Sequence, residues 1–472
     1  MQAGIRAQAA NRGGWTGGSA HAAFGALPRD AGSLEGRCGA RPPPSQSRQV
    51  SGSGAHTFES LRVHRNYRLY FVGQFASQAG NWILGAAQVW LVLELTRSAV
   101  AVGLVSFWQY IPYSVLGLLG AGLSDRLDHR RTLIITQVLF AACAAALAAI
   151  AFARHTGVDW VYALAVVRGV VLIFSSPSLQ ALMVQMVGRE ELANAISLNS
   201  GVSSAARVLG PGIAGLIIAT AGVAVCFALS GVLTVAAAVT LYLMRPAEFF
   251  PLQRLQGHAS LVQDLRDGLG YARRTPQILL PLVLLAAISV ASINFGVLLP
   301  LLASQTLHSG AEVYGLLSAL LGVGAVAGAL ASAALNRSTW TILLVAAGGF
   351  SLGELLLAPQ QGLLPAIVFL VATGVCYTLY TSSTATMVQL AAPDSMQGRV
   401  AGLYNYIFLG TAPVGALVAG ALCQAGGTPL AFAIAGSAGL AATGLALFGL
   451  RRATRLASPR AAGPSPTRRP RL

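Results

Sequence analysis

The chain has 472 residues, of which 55% are hydrophobic and only 10% are charged, and its mean hydropathy is +0.65. This is too little charge to cover the surface of a soluble domain of that size. The hydrophobic residues form long blocks, many of them about 20 residues or more, which is the length a helix needs to cross a membrane core of roughly 30 Å. The sequence therefore excludes a water-soluble protein and predicts an all-α membrane protein.

Twelve blocks are predicted to cross the membrane, and we number them span 1 to span 12. Their predicted bounds are 67–94, 99–122, 130–153, 159–184, 192–219, 221–244, 277–303, 311–335, 339–358, 361–390, 399–424 and 428–450. They divide the chain into an N-terminal six-helix bundle (58–244) and a C-terminal six-helix bundle (277–450). The linker between them, 245–276, has helical spacing of apolar and charged residues at 260–274 and is predicted to hold an amphipathic surface helix. The flanking segments 1–57 and 451–472 have the composition of disordered basic tails.

The charge is distributed unevenly over the loops. The formal net charge is +16, and the loops on one side hold nearly all of the arginines between spans, whereas the opposite loops hold only Arg97 and Arg154. The positive-inside rule then places both termini in the cytoplasm, which requires an even number of spans. The positive charge is accordingly assigned to contact with anionic lipid, not with nucleic acid. All basic side chains are arginines, and with so much Ala and Gly this indicates a GC-rich bacterial genome, hence a bacterial inner membrane.

The two halves resemble each other. Residues 99–108 align with 311–320, and residues 183–194 align with 387–398. Spans 2 and 8, and spans 4 and 10, thus hold equivalent places in a duplication of six spans. Two such pseudo-repeats surround a central cavity near the midplane in transporters of this kind.

Three segments carry a family resemblance. The sequences of residues 61–105, 122–131 and 189–222 resemble the enterobactin-exporter-like, secretion effector branch of the major facilitator superfamily. The resemblance implies the major facilitator fold and a monomeric exporter that works by alternating access. It also implies proton antiport and a small organic substrate, either a siderophore-like metabolite or a drug. A lipid-like or other solute, uniport, and a non-transporting membrane sensor of the same fold are the alternatives.

The segment GLSDRLDHRR (122–131) is similar to the family's loop motif between spans 2 and 3. The resemblance implies a latch that holds the two halves together at the cytoplasmic side, because a carboxylate there can pair with cations and with a helix N-terminus. The alternative is a set of positive charges that only fixes the topology. The predicted latch residues are Asp125, Arg126, Arg130 and Arg131.

A second motif, in span 5, resembles the Gly-Pro motif associated with exporters. Pro211 can kink the helix, and small neighbours allow a second helix to approach closely. Span 11 repeats the pattern around Pro413. Ordinary small-residue packing is the alternative. The residues of the predicted helix-packing motif are Arg207, Gly210, Pro211, Gly212, Gly215 and, in span 11, Gly410, Pro413, Gly415 and Gly420.

Charged side chains inside a membrane are costly and are functional candidates by default. Arg168 in span 4 is the leading candidate for contact with substrate or for proton coupling, since span 4 lines the cavity in this fold; a structural role at a helix interface is the alternative. For Arg207 the structural role is preferred, because span 5 flanks the cavity. Glu94 and Glu354, near the outer ends of spans 1 and 9, are predicted to be interfacial more than proton carriers, and Glu94 is kept as a proton-coupling candidate.

The remaining cavity candidates are polar or aromatic side chains on spans that line the cavity, as suits an amphipathic ligand. They are Asn81, Trp82, Gln88, Asn294, Tyr377 and Tyr380. Each of them could instead be satisfied by a neighbouring helix.

No enzyme is predicted. The string GFSLG (349–353) lies inside a span and not at a strand-to-helix turn, and no histidine lies inside a span to serve it. The five cysteines, Cys38, Cys143, Cys226, Cys376 and Cys423, are scattered singly, so neither a metal site nor a disulfide framework is predicted, and no cofactor is expected. No ATP-binding motif occurs, so transport would draw on a gradient.

Overall fold

The structure is a computed structural model that describes residues 64–124, 127–153, 157–188, 191–250, 261–335, 337–393 and 396–457. All of these residues lie in one compact unit, Ser53–Leu472. The predicted tail 1–57, most of the tail 451–472, and Asp125 and Arg126 of the predicted latch lie outside the described residues.

The N-terminal half consists of six long helices. Long apolar segments become helices in a membrane because a helix satisfies its own backbone hydrogen bonds where no water is present. The start of span 1 lies beside the end of span 6, where Asn66 Nδ2 donates to the Arg245 carbonyl at 2.9 Å. We call this end of the bundle the terminal face and the other end the far face. The six spans are Arg65–Thr96, Ala99–Ser124, His129–Ala153, Val158–Val187, Leu192–Ala221 and Val223–Tyr242.

The C-terminal half holds the other six spans. Span 8 is Ala311–Leu335, span 9 is Trp340–Leu357 and span 10 is Leu363–Leu390. Span 11 begins as Gln397–Gly410 and continues into the long helix Ala412–Ala457. That helix breaks at Gly426 and Gly427, where Gly427 has a φ of 72° that favours glycine, and the part after the break is span 12.

The described chain contains ten stretches that are long and apolar enough to cross a membrane. One of them, Gln397–Arg452, includes both span 11 and span 12, and the 32-residue helix of span 1, which has more polar residues, completes the twelve. No strand occurs among the described residues. The predicted all-α fold of twelve membrane helices in two six-helix halves is confirmed.

Span 7 differs from its prediction as one continuous helix over 277–303. It consists of Pro276–Ala291, a break at Ser292–Asn294, the short helix Phe295–Leu301 and a π turn, Leu302–Thr306. At the break the backbone N–H groups of Ser292 and Ile293 both donate to the Ile288 carbonyl. The Asn294 side chain donates to the Val290 carbonyl at 3.1 Å and so satisfies an acceptor that the break leaves without its helical partner.

The linker contains a helix, Leu261–Arg274, where the sequence predicts an amphipathic one. It is attached to span 11 by an ion pair between Asp267 Oδ2 and Arg399 Nη1 at 3.6 Å. The linker is thus docked on the C-terminal half at the terminal face.

The halves meet at two glycine crossings. Span 2 crosses span 11 at Gly103 and Gly420, and a Cβ on Gly103 would lie 2.6 Å from the Ala416 carbonyl oxygen. Span 8 crosses span 5 at Gly315 and Gly215, where a Cβ on Gly315 would lie 2.8 Å from the Gly215 Cα. Gly103 and Gly315 occupy the same place in the aligned repeats. The two crossings are therefore pseudo-symmetric, and the region between them is the centre of the molecule.

Candidate functional site

Arg168 lies inside the N-terminal half and is 4% exposed. Its Nη1 donates to Gln88 Oε1 at 2.5 Å, and its Nη2 donates to Asn81 Oδ1 at 3.4 Å. Gln88 is in turn oriented by a hydrogen bond from its Nε2 to the Val161 carbonyl at 3.2 Å. The structure therefore brings together three of the predicted candidates, from spans 1 and 4. Because both acceptors are neutral, the positive charge of Arg168 is held in place but not cancelled.

Arg207 lies near the middle of span 5 and is exposed. Its guanidinium carbon is 5.6 Å from the ring centroid of Trp82 on span 1, a cation–π arrangement. Gly210, one turn further along span 5, has no room for a side chain because a Cβ there would collide with the Trp82 Cβ. The glycine of the predicted packing motif thus allows Trp82 to lie under the arginine.

Aromatic hydroxyls from other spans complete the surroundings of Arg207. Tyr377, on span 10 of the C-terminal half, interacts with the Arg207 guanidinium. Tyr110, on span 2, lies within charge-interaction distance of both Arg207 and Arg168. An exposed side chain that is surrounded by spans 1, 2 and 10 faces the space between the halves and not the lipid. Arg207, which the sequence assigned to helix packing, is therefore also a candidate for contact with a substrate.

Two of the predicted cavity residues serve the packing of the C-terminal half. Tyr380 is 0% exposed and its ring stacks on Phe350 with centroids 6.5 Å apart. Asn294 is buried at the break of span 7, and a Cβ on Gly415 of span 11 would lie 2.8 Å from its amide. Both side chains are buried in contacts between helices.

The two predicted interfacial acids differ from each other. Glu94 is exposed near the end of span 1, where its Oε1 accepts from Trp90 Nε1 at 2.7 Å. Glu354 is 0% exposed, and neither of its carboxyl oxygens has a hydrogen-bond partner. Both acids are predicted to be interfacial, yet Glu94 is exposed at a helix end whereas Glu354 is enclosed by neighbouring spans.

The described part of the predicted latch makes contacts within one half. Arg130 donates from Nε to the Leu241 carbonyl at 2.9 Å and from Nη2 to the Tyr242 carbonyl at 2.7 Å. These are the last carbonyls of span 6, so Arg130 caps the negative end of that helix. Arg131 is exposed. Among the described residues of the motif, we find no contact with the C-terminal half that would form a latch.

The Gly-Pro motif lies at the crossing between the halves. A Cβ on Gly215 would lie 2.5 Å from the Ala311 carbonyl oxygen, and the Pro211 carbonyl oxygen lies close to Gly315 of span 8. In span 11 the Gly410 carbonyl accepts from Ser114 Oγ of span 2 at 3.0 Å, near Pro413. Both copies of the motif are thus found where the N- and C-terminal halves touch.

The centre of the molecule carries positive charge that no nearby acid balances among the described residues. Arg168 and Arg207 form no ion pair within the described residues. The acids of the N-terminal spans, Glu94 and Asp159, lie near helix ends at the far face. Two uncompensated guanidinium groups with aromatic rings around them favour an electron-rich or anionic aromatic ligand.

Three features of this site were missed from the sequence. The exposure of Arg207 depends on which side of span 5 faces the gap, and the Gly-Pro motif beside it indicated packing. Tyr110 lies in an apolar block and has no sequence signal that separates it from a core residue. The burial of Glu354 depends on how three spans pack around the end of span 9, and its only signal is that it is an acid inside an apolar block.

The fold defines a membrane transporter built from two related six-helix halves, and the candidate residues Arg168 and Arg207 lie in its N-terminal half. A family model described as transmembrane secretion effector matches residues 55–463, and the chain belongs to this family of major facilitator transporters. It is therefore not an enzyme.

Individual relatives and a solved structure agree with this assignment. The chain is 28% identical over 394 residues to the enterobactin exporter EntS of Shigella boydii serotype 18, with 82% of this chain and 92% of the relative covered. It is 23% identical over 368 residues to macrolide efflux protein A of Streptococcus pyogenes, with 76% and 90% covered. A bacterial homologue of the human lysosomal transporter Spinster, solved in an inward-facing and unoccupied conformation, has the same fold with a TM-score of 0.60 at 14% identity, and covers 84% of this chain and 96% of its own.

Proposed function

We propose that the protein exports a small organic acid with aromatic groups, such as a siderophore-like metabolite, by alternating access and in exchange for protons. The observation that carries the proposal is Arg207, an exposed arginine in mid-span that lies over Trp82 and interacts with Tyr377 of the other half. A ligand bound there would touch both halves. It could therefore sense their relative movement, which is what coupling of binding to alternating access requires.

The direction of transport is supported by the relatives, which are exporters of enterobactin and macrolides by name. With the terminal face in the cytoplasm, as the arginine distribution predicts, export carries the substrate from the terminal face to the far face. The two unpaired guanidinium groups favour an anionic aromatic cargo over a cationic drug, because a cation would be repelled by both. A hydrophobic drug remains the second candidate, supported by the macrolide relative.

The proposal is tested with the purified protein in proteoliposomes. The probes are a catecholate siderophore and a lipophilic cation, each added with and without a proton gradient, and binding is measured in parallel by tryptophan fluorescence quenching. We expect the catecholate to bind and to be transported faster with the gradient, and the lipophilic cation to do neither. Transport of the cation alone would contradict the assignment of an anionic substrate, and transport of neither probe would contradict the proposed cargo classes.

Arg207→Ala is the decisive variant. Loss of a hydrogen bond or ion pair to a charged ligand costs roughly 1.5–3 kcal/mol, so binding of the catecholate should weaken by about 10- to 100-fold. Arg207→Lys should bind with intermediate affinity, since lysine keeps the charge but lacks the planar group that lies on Trp82. Arg337→Ala, at an exposed arginine between spans 8 and 9, is the matched control and should bind like the wild type. Equal binding by Arg207→Ala and Arg337→Ala would show that the site lies elsewhere.

A further inference from the structure

Glu354 is an unusual side chain for a membrane protein. It lies in the last turn of span 9, Trp340–Leu357, and is 0% exposed. Neither carboxyl oxygen has a hydrogen-bond partner. A carboxylate that is buried without a cation or a set of donors is very costly, so a buried acid of this kind is paired or carries a proton.

The surroundings of Glu354 are small and polar. The hydroxyl of Ser292, at the break of span 7, is the polar group that interacts with its carboxyl. Ser292 Oγ itself donates to the Ala435 carbonyl of span 12 at 3.1 Å. Gly439, also on span 12, lies against the side chains of Ser351 and Ser292. Spans 7, 9 and 12 thus enclose the acid with a serine at the point where span 7 is not helical.

No cation neutralises this acid within the part of the chain that the structure describes. The titratable groups that face span 9 come from span 10: Cys376 lies against Gly349, and Tyr377 and Tyr380 pack on Phe350 with ring centroids 5.7 and 6.5 Å away. Span 7 contributes Ser292, which interacts with the carboxyl, and one turn earlier lies Ser289, whose buried hydroxyl has no hydrogen-bond partner. Span 12 contributes Ala435, whose carbonyl accepts from Ser292 Oγ, and Gly439, which lies against Ser292.

We propose that Glu354 is the residue that binds and releases the proton exchanged for substrate, with Ser292 as its hydrogen-bonding partner. The inference rests on the antiport of the proposed function. In the proposed cycle the protonated carboxyl turns to donate to Ser292 Oγ, whose own proton is donated to the Ala435 carbonyl. When the proton leaves, the Ser292 hydroxyl turns from Ala435 to the carboxylate. The proton moves from water at one face to the carboxyl oxygen and then to water at the other face, so the carboxyl O–H bond is the only covalent bond that forms and breaks.

The link from this acid to the substrate site is structural. Glu354 lies one turn from Phe350 on the same helix, and Phe350 packs on Tyr377, which interacts with Arg207. Phe295, directly after the break in span 7, packs edge-on against Phe350 with centroids 6.0 Å apart. A change in the hydrogen bond of Ser292 would therefore alter the break in span 7 beside the aromatic side chains that reach the substrate.

The first test reads the proton directly and needs no substrate. Purified full-length protein is titrated with acid and base in an infrared cell, and the carbonyl stretching band of a protonated carboxylic acid is followed. We expect a band that is sensitive to deuterium exchange and that is missing in Glu354→Gln but present in Glu312→Gln, a matched change at an exposed acid. A band that persists in Glu354→Gln, or a site that responds to sodium and not to pH, would overturn the proposal.

The second test separates coupling from transport. In proteoliposomes, Glu354→Gln should keep exchange of the catecholate probe at equal pH on both sides, but should lose at least tenfold of the acceleration that a proton gradient gives the wild type. Glu354→Asp should restore part of the acceleration, and Ser292→Ala should shift the pH at which the infrared band disappears. Unchanged gradient-driven transport in Glu354→Gln would overturn the role of Glu354. If the wild type transports no probe, the proposed function fails, whereas the infrared titration still decides whether Glu354 binds a proton.

Discussion

The hydrogen bonds of Arg168 show how the protein keeps a charge inside the membrane. Gln88 accepts from Arg168 at 2.5 Å and donates to the Val161 carbonyl, so both ends of its amide are used. Asn81 supplies a second, longer contact. The arginine is thus solvated by fixed amide groups in place of water, and both it and Arg207 interact electrostatically with Tyr110.

Removing Gln88 alone should lower the stability of the protein more than removing Gln88 and Arg168 together. Gln88→Leu leaves the arginine without its main acceptor, and we expect a loss of roughly 1.5–3 kcal/mol in stability, seen as a lower melting temperature of the purified protein. Gln88→Leu combined with Arg168→Met replaces both groups by apolar ones and should recover part of that loss.

Gln78→Leu is the control for this prediction, since Gln78 lies on the same span and donates to a neutral group, the Ser203 hydroxyl, at 2.9 Å. Its melting temperature should fall less than that of Gln88→Leu. A double variant that is no more stable than Gln88→Leu alone would contradict the account of Arg168 as a charge held by Gln88.

The residues of the site were predictable to different degrees. Arg168, Gln88 and Asn81 are polar side chains in apolar spans, and a polar side chain there needs a partner, so the sequence alone marks them. The sequence does not show which way Arg207 points, because a span in contact with several neighbours has no polar face to fix its orientation. For Glu354 the sequence is misleading in another way, because its position near a helix end suggests the membrane interface. Its burial results from the packing of spans 7 and 12 around it, which the sequence does not show.

At the level of the helices, the glycine crossings determine how close the halves come. Spans 5 and 8 approach so closely at Gly215 and Gly315 that a Cβ on Gly215 would lie 2.5 Å from the Ala311 carbonyl oxygen. Spans 2 and 11 do the same at Gly103 and Gly420. Close approach of this kind strengthens van der Waals packing between membrane helices, where the hydrophobic effect contributes little.

Gly215→Ala and Gly103→Ala should each destabilise the protein and slow transport, because the new methyl groups would overlap backbone atoms of the other half. Overpacking of this kind costs about 1–3 kcal/mol. Gly201→Ala, in the same span as Gly215, has nothing within 4 Å of the new Cβ and should be neutral or slightly stabilising, since alanine favours helix more than glycine does. Melting temperatures and transport rates of the three variants test this, and equal behaviour of Gly215→Ala and Gly201→Ala would contradict the role of the crossing.

Most of the helices were predictable from apolar length alone, and spans 3 and 8, predicted over 130–153 and 311–335, are found at His129–Ala153 and Ala311–Leu335. The break in span 7 was not predictable, because Ser292, Ile293 and Asn294 include neither proline nor glycine, and the nearby Gly296 lies within the helix that follows. It is stabilised by contacts with other helices, among them the bond from Ser292 to Ala435 of span 12. A tertiary contact of this kind leaves no local pattern in the sequence.

The whole molecule has its halves joined at the far face. The rings of Trp90 and Tyr314, from spans 1 and 8, stack with centroids 5.8 Å apart. Gln424 Oε1, at the end of span 11, accepts from the backbone N–H of Ala99 at 3.0 Å and from Ser98 Oγ at 3.3 Å. In the proposed alternating-access cycle, release of a substrate at this face requires these contacts to separate.

A covalent link across the far face should therefore stop transport. In a variant whose five native cysteines are replaced, Ser98→Cys and Gln424→Cys are joined by a short, reducible thiol cross-linker, and uptake of the catecholate probe into proteoliposomes is measured before and after reduction. We expect the linked protein to be inactive and reduction to restore its activity, because the halves can separate again. Gln78→Cys with Ser203→Cys, which joins spans 1 and 5 within one half, is the control and should remain active when linked, since a half moves as a body in such transporters. Full activity of the linked Ser98–Gln424 pair would mean that the substrate leaves without separation of the far face, and that the contacts of Gln424 serve stability alone.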